Sequence, residues 1–570
     1  MDGVDEKANT LSPPVNIPEL RTKPSLTSSG ITASEKEEGG SLRSAAEAAV
    51  PAVPEPDYPK GLRLGLLIIA LAISVLLVAL DNTIIGTVIP KITDHFNSLE
   101  DVGWYGSAYL LTSASFQLLW GRFYSFLSIK WVYISAILIF ELGSLICALA
   151  PTSAALIVGR AIAGIGCAGI FSGALNIISH SAPLEQRPMF TGFMGTMYGV
   201  ASIAGPLMGG VFADKVNWRW CFWINLPIGA VTLLVMLFLF KAPHQDKGEV
   251  MTYMQRLQQF DPIGSILIIS SAICLLLALQ WGGSVYPWDN GRVIALFVVF
   301  GVLLIVFIAV QIWKQDAGTV PPRIMKQRSI WAGACFSFFQ GATFFVFVFY
   351  VPIWFQAIKG VSAVKSGIDN LPMILALVIA MIGSGGATTA LGYYTPFMYF
   401  STIFMAVGGG LLATLKVNSG HAKWIGYQVL VGLGAGAGMN QPVMAVQAVL
   451  PLKDIPTGTA LVLFVQSIGG SVFVSIAQNV FTNELLRGIR RDIPSLDPAV
   501  VLRSGATSLK DAVAPALVDA VLFIYNQALV NAFYVGAAAA TMSIIGTVMI
   551  EWRSVKQPAT ESTATSSDAA

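Results

Sequence analysis

Asp81, Glu141 and Arg160 each stand inside a long apolar run of the chain. An unpaired charge at membrane depth costs at least about 2.5 kcal/mol even on a lenient insertion scale. A sequence that keeps two carboxylates and a guanidinium there therefore supplies partners, a wet cavity or a proton. The chemistry open to such a set is reversible proton binding, because burial favours a neutral carboxyl and a nearby cation favours a charged one. Asp81 could hold a proton when turned away from Arg160 and lose it when paired or wetted. The plainer alternatives are a static Asp81–Arg160 pair, an Arg160 anchored on backbone carbonyls, and a Glu141 that faces a wet crevice or a lysine.

A second set is neutral. Gln117, Asn176, Gln340, Gln356, Asn440, Gln441, Gln466 and Gln478 lie inside apolar runs, with Trp104, Tyr109, Tyr198, Phe344, Phe345 and Tyr350 among them. Polar groups in such runs tend to face a bundle interior, and an apolar cavity with a few polar groups suits an amphiphilic ligand. Interhelix hydrogen bonds are the alternative for each amide. Other chemistries lack their residues. There is no G-x-x-x-x-G-K-[ST] phosphate loop, no Cys pair and no Ser/His/Asp set in a run, so neither an enzyme nor a cofactor is expected. Cys147, Cys167, Cys221, Cys274 and Cys335 read as small buried hydrophobes. His95, His180, His244 and His421 fall in or near connections and read as solvent-exposed, and no metal site is expected.

The elements that must position these residues are helices in a bilayer. Of the 570 residues 55% are hydrophobic and 12% charged, against about 25% charged in a soluble protein. The net charge of +2 gives no argument for a nucleic-acid partner. A span needs about 20 apolar residues, and such runs occur near 64–88, 103–121, 131–150, 154–178, 189–213, 220–240, 262–281, 293–313, 330–355, 368–389, 396–415, 424–449, 456–481 and 524–550. An even number of spans puts both termini on one side. The most basic short connection, with Lys314, Arg323, Lys326 and Arg328, places that side in the cytosol. The polar 482–519 segment then becomes a long extracellular loop, and residues 1–60 read as a disordered cytosolic tail without a signal peptide. Glycines cluster in the runs, as at Gly159, Gly164, Gly166 and Gly169, or Gly432, Gly434, Gly436 and Gly438, and read as seams where helices approach closely.

Four stretches taken together resemble one family. Leu80-Asp81-x-Thr83 with Pro90, Leu156-x-x-x-Arg160-x-x-x-Gly164-x-Gly166, Gly192 with Ala201, Gly205-Pro206 and Gly209-Gly210, and Trp218-Arg219-Trp220 through Ile224-Asn225-Leu226-Pro227-Ile228-Gly229 are similar to motifs of the 14-span drug:proton antiporters of the major facilitator superfamily. Leu279 to Gly283, Val351 to Gln356 and Ser366-Gly367-Ile368 look like its fungal branch of toxin and secondary-metabolite pumps. The resemblance implies an all-α membrane fold: a six-helix bundle over 62–240, a linker with spans 7 and 8 over 241–328, a second bundle over 329–553 and a cytosolic tail from 554. It implies proton coupling at Asp81, Arg160 and Glu141, and an efflux-directing helix bend at Gly192, Ala201, Gly205, Pro206, Gly209 and Gly210. It further implies a monomeric exporter of a small amphiphile in the plasma membrane, or in a vacuolar or vesicle membrane. Rival expectations are siderophore or nutrient uptake on the same scaffold, and a membrane sensor that does not transport. One departure stands out: the loop after span two, Gly121 to Lys130, has Ser125, Phe126 and Ser128 where the family has Asp, Arg and Gly, which puts its charged gate in question.

Overall fold

Apolar runs broken by Pro, Gly and capping residues fold into fourteen long helices in the computed structural model, which describes residues 58–98, 101–240, 260–283, 285–498, 501 and 513–556. The expected N-terminal tail up to 57 and the C-terminal tail from 557 lie outside the described residues. We label α1 Leu62–Phe96, α2 Val102–Phe126, α3 Ile129–Leu149, α4 Ser153–Ser181 and α5 Arg187–Val211. Next come α6 Trp220–Leu239, which breaks at Ile224, α7 Pro262–Trp281 and α8 Gly291–Lys314. Then follow α9 Arg328–Lys359, α10 Leu371–Leu391, α11 Thr395–Leu412, α12 His421–Val449, α13 Ile455–Asp492 and α14 Val518–Met542. Proline stands in the first turn of α5, α7, α10, α11 and α13, where its missing N–H has no helical partner to lose. Gly360 and Gly392 close α9 and α10 with positive φ of 67° and 87°, a conformation that glycine adopts without a Cβ clash.

Among the described residues twelve helices are long and apolar enough to cross a membrane. The sequence expectation was fourteen; α2 and α5, 25 residues each, are not among the twelve. At 1.5 Å per residue each is about 37 Å long, enough for a 30 Å hydrocarbon layer. What they lack is apolar surface. α2 packs on α13 and α5 on α10, so part of their faces meets protein rather than lipid, and Gly, Ser, Thr and Gln replace aliphatic residues there. The apolar extreme is α8, whose Val298, Val302, Ile305, Ile312 and Trp313 are all exposed.

Both described chain ends lie at one end of the bundle, here called the terminal face. Arg63 at the start of α1 donates to Leu239 O, and Ser329 at the start of α9 donates to Glu551 beyond α14. The buried apolar clusters divide by half. Among the described residues two stay within α9 to α14 and three within α1 to α6. A single large cluster among the described residues crosses between the halves, through Leu118 and Leu175, Ile268 and Phe307 of the linking helices, and Phe336, Val443 and Leu461. It lies toward the terminal face.

Some element boundaries differ from the sequence expectation. Residues 482–492, expected in a loop, continue α13, and α14 begins at Val518. Glu484–Arg487 pair at i,i+3 along this extension; polarity marks the exit from an apolar layer, not the end of a helix. α12 breaks at Met439–Asn440 inside one apolar run.

Candidate functional site

Arg160 reaches the centre of the first half because α4 lies unusually close to its neighbours. A Cβ on Gly159 would fall 3.0 Å from Cys147 N on α3, and one on Gly164 would strike Tyr109 O and Thr112 on α2. With those two positions bare, α4 carries Arg160 against α1. The guanidinium Nη1 donates to Asp81 Oδ2 at 2.5 Å, its Nε donates to Tyr105 O at 2.8 Å, and its plane lies 4.3 Å from the Tyr109 ring centre. Asp81 is 1% exposed and Arg160 0%. The Asp81–Arg160 pair, one of the plainer alternatives from sequence, is formed in this state, and Arg160 also carries the carbonyl anchor that was another.

A third residue completes the node. Asn225 Nδ2 on α6 donates to Asp81 Oδ1 at 2.9 Å and lies 3.1 Å from Ser144 Oγ on α3. Asn225 belongs to the Ile224-Asn225-Leu226-Pro227 stretch quoted for the family resemblance, yet it drew no role there. Its signal was available: an amide within an apolar run, beside a proline that fixes the helix start. Glu141 lies one turn from Ser144 on α3. Both of its carboxylate oxygens are buried without a hydrogen-bond partner among the described residues, and one occupies the place a Cβ of Gly229 would take.

The glycine-rich stretch of α5 carries two contact faces. A Cβ on Gly205 would strike Thr83 Oγ1 of α1, and one on Gly209 would strike Thr87 Oγ1 and lie 2.8 Å from Ile84 O. Thr83 Oγ1 donates to Ala201 O at 2.9 Å, so Ala201 offers its backbone to the same seam. Gly192 instead faces the other half, where a Cβ would sit 2.6 Å from Met381 O of α10. Gly210 differs from the expectation, since a Cβ there meets nothing within 4 Å. It points away from the seam that Gly205 and Gly209 line. Pro206 sits inside an uninterrupted α5, and a π-helical turn, Phe212–Val216, follows it.

The amides do not converge on one place. Gln466 Nε2 donates to Gln340 Oε1 at 2.8 Å, and Gln340 Nε2 reaches Ala435 O at 3.5 Å. Gln478 accepts from Tyr350 OH at 2.9 Å. Asn440, at the break in α12, donates across the halves to Thr191 O at 3.2 Å, and Gln441 bonds its own helix at Ala437 O. Gln117 and Asn176 are buried in the first half, and Gln356 is half-buried on α9. His180, expected in solvent, is half-buried with Nδ1 2.9 Å from Asn176 O. His244 lies outside the described residues.

The loop after α2 carries no acid of its own from Gly121 to Lys130, and the acids that act on Arg122, Asp261 and Asp454, come from other segments. Ser125 Oγ lies 3.1 Å from Thr457 Oγ1 of α13, and a Cβ on Gly121 would meet Pro456 O at 3.1 Å. Arg122 Nη2 donates to Ala317 O at 2.9 Å, and Lys130 Nζ donates to Leu237 O and Phe240 O. Ion pairing is concentrated in the linking segment instead. Arg323 grips Asp454, at the start of α13, through both oxygens at 2.7 and 2.8 Å, and also reaches Asp316. These two acids push its guanidinium further above its ordinary range. Asp261, fully buried before α7, accepts from Lys314, Gln311, Gly264 N, Thr319 N and Thr319 Oγ1. Burial alone would raise its carboxyl, but these donors hold it down at about 2. Among the described residues no group of three His, Cys, Asp or Glu could hold a metal ion.

Comparison with known proteins follows the same lines. The family described as Major Facilitator Superfamily matches residues 71–474. An MFS-type efflux pump of Arthroderma benhamiae is 56% identical over 500 residues, covering 88% of this chain and 93% of that protein. The efflux pump aflT of Aspergillus parasiticus is 50% identical over 502 residues, covering 88% and 98%. The aspyridones efflux protein of Neocamarosporium betae is 49% identical over 501 residues, covering 87% and 89%. Among solved structures, the proton:xylose symporter XylE superposes with a TM-score of 0.52 at 14% identity, covering 84% of this chain and 94% of that one. The human organic anion transporter MFSD10 gives 0.52 at 13%, covering 84% and 100%.

Proposed function

This chain belongs to the Major Facilitator Superfamily, and from that premise we propose that it is a secondary active transporter that exports a small amphiphilic molecule in exchange for protons. It is a multi-pass membrane protein whose relatives at about half identity are named efflux pumps. That likeness, over 88% of the chain, is the observation that carries the export reading.

The proton part rests on the site. The node of Asp81, Arg160 and Asn225, with Glu141 beside it, puts ionisable groups in the middle of the first bundle. Binding or losing a proton there changes the charge that α1, α3, α4 and α6 pack around. α1 is also the helix that Gly205 and Gly209 of α5 press against, and α5 in turn rests on α10 through Gly192. A change at the node therefore has a short mechanical route to the interface between halves. In our reading all fourteen long helices span the membrane, as bundles 62–240 and 329–553 joined by α7 and α8, and the working unit is a monomer. The terminal face is cytosolic, the membrane is the plasma membrane, and the apolar cluster that joins the halves closes the cytosolic side in this state. The amphiphile would bind between the halves, against the amides of α9, α12 and α13.

The test is deletion and overexpression in the source organism, with metabolite profiling of cells and medium. Export predicts that one class of small molecule stays in deletant cells and that overexpression raises it in the medium. Unchanged profiles and unchanged resistance to added toxic amphiphiles would sink the reading. Intracellular depletion on deletion would favour uptake instead.

A further inference from the structure

Within this proton-coupled reading, the geometry points to Glu141, not Asp81, as the carboxylate that carries the exchanged proton, with Asp81, Arg160 and Asn225 as a fixed positioning node. Both oxygens of Asp81 are committed, Oδ2 to Arg160 and Oδ1 to Asn225. A proton arriving there would have to displace a guanidinium at 2.5 Å. Glu141 is the opposite case. Both its oxygens are buried and receive no donor among the described residues. As a charged group it would be uncompensated, and as a neutral acid it is tolerated.

The surrounding charges are consistent with this. Asp81 of α1 acts on Glu141 as a like charge. Arg160 of α4 is already taken up by Asp81 and Tyr105 O, and Asn225 of α6 by Asp81 and Ser144. The niche is built for a long side chain. Gly229, one turn from Asn225 on α6, leaves the space that the Glu141 carboxyl occupies. One nitrogen of Arg160, Nη2, has no partner among the described residues. In the proposed cycle this nitrogen reaches a Glu141 that has lost its proton only after the guanidinium shifts from its present place.

The step balances simply. When one face of the bundle opens, the Glu141 O–H bond breaks heterolytically and the proton passes to water as hydronium, leaving a carboxylate. That carboxylate competes with Asp81 for Arg160. Reprotonation from the other face returns the guanidinium wholly to Asp81. Deprotonation thus loosens α4 from α1, and the loosening is what the halves respond to.

The experiment is infrared difference spectroscopy of the purified full chain in lipid nanodiscs, titrated with pH and with no transported molecule present. The expected result is a titrating C=O band of a protonated carboxylic acid that disappears in E141Q and persists in D81N. A band that persists in E141Q, or one lost in D81N alone, overturns the assignment. If E141Q does not fold, E141D and G229A decide. The first should shift the band, and the second, by pushing a methyl into the carboxyl niche, should move the midpoint by about one pH unit. An unmoved band and midpoint in both would overturn it. Because the spectra need no substrate, they stand or fall independently of the metabolite profiles.

Discussion

The two halves share an architecture and divide the chemistry. In α1 to α6 the interior polar residues include Asp81, Glu141 and Arg160; in α9 to α14 the apolar runs hold amides and hydroxyls, with a charge only at the rim of one, Asp369. The bonds differ accordingly. Arg160–Asp81 is short, buried and held from several directions, whereas Gln340 reaches Ala435 O at 3.5 Å, the edge of hydrogen bonding. A buried ion pair fixes its geometry, because separating it strands a charge. Neutral amides exchange partners at small cost. In the function proposed above, the first half would register one charge and the second would accept the transported molecule.

Breaking the ion pair should have the largest effect. R160A leaves Asp81 buried without its cation and should cost about 3–5 kcal/mol, read as a collapse in folded yield and in thermal unfolding temperature in detergent. D81N with R160A should recover part of that loss, because no charge is then stranded. Equal losses in the single and double variants would mean that packing, not charge, dominates.

The α5 seam comes next. G205A drives a methyl onto Thr83 Oγ1 and should cost about 1–3 kcal/mol of overpacking and most of the export. G210A, where a Cβ meets nothing within 4 Å, should stay within about 0.5 kcal/mol of the wild type. Similar stability and export in the two variants would show that glycine content, not the contact, matters there.

Smaller changes are expected in the second half. Q340A and Q466A should each cost about 1 kcal/mol and show coupling in a double-mutant cycle. Their mark on export should be an altered preference among amphiphiles, scored by metabolite profiling. A uniform loss for every exported compound would contradict the division drawn above.

The mildest effect concerns pH. The Asp261 carboxyl sits at about 2 when folded, below its ordinary value of about 3.9. Depressed on folding, it stabilises fully above about pH 4, and the contribution is lost as pH falls toward 2. The stability gap between wild type and D261N should thus stay constant from pH 7 to 5 and narrow only below about 4. A gap that closes already by pH 5 would mean that the buried donors do not hold the carboxylate.

Much of the fold was legible in the sequence, because apolar runs of bilayer length have few other uses. The Asp81–Arg160 pair was legible as one of several readings, since a carboxylate in an apolar run could also hold a proton or face water, and only the packing of α4 on α1 brings the two together. Asn225 and Gly229 were missed for a physical reason: an amide and a glycine carry no cost large enough to stand out, and their meaning lies in what they face across helices. The amides of the second half had the same difficulty, as sequence gives their depth but not their side. Charges in connections were read as signs of sidedness, because exposed loops solvate charge by default. Lys314 and Arg323 instead grip Asp261 and Asp454, contacts between segments far apart in the chain. The altered loop at 121–130 was read correctly as lacking its acid, but its replacement by a Ser125–Thr457 hydroxyl contact needed both halves in view.

α5 rests on α10 through Gly192, Gly195 and Gly199, where added side chains would meet Met381 and Val378. The missing side chains are notches, and α10 fills them: the ends of Met381 and Val378 stand where Cβ atoms of Gly195 and Gly199 would be. Sliding one half over the other along this helix would have to lift those two side chains out of their notches. In mechanical terms α5 and α10 form a keyed joint, which tilts more readily than it slides.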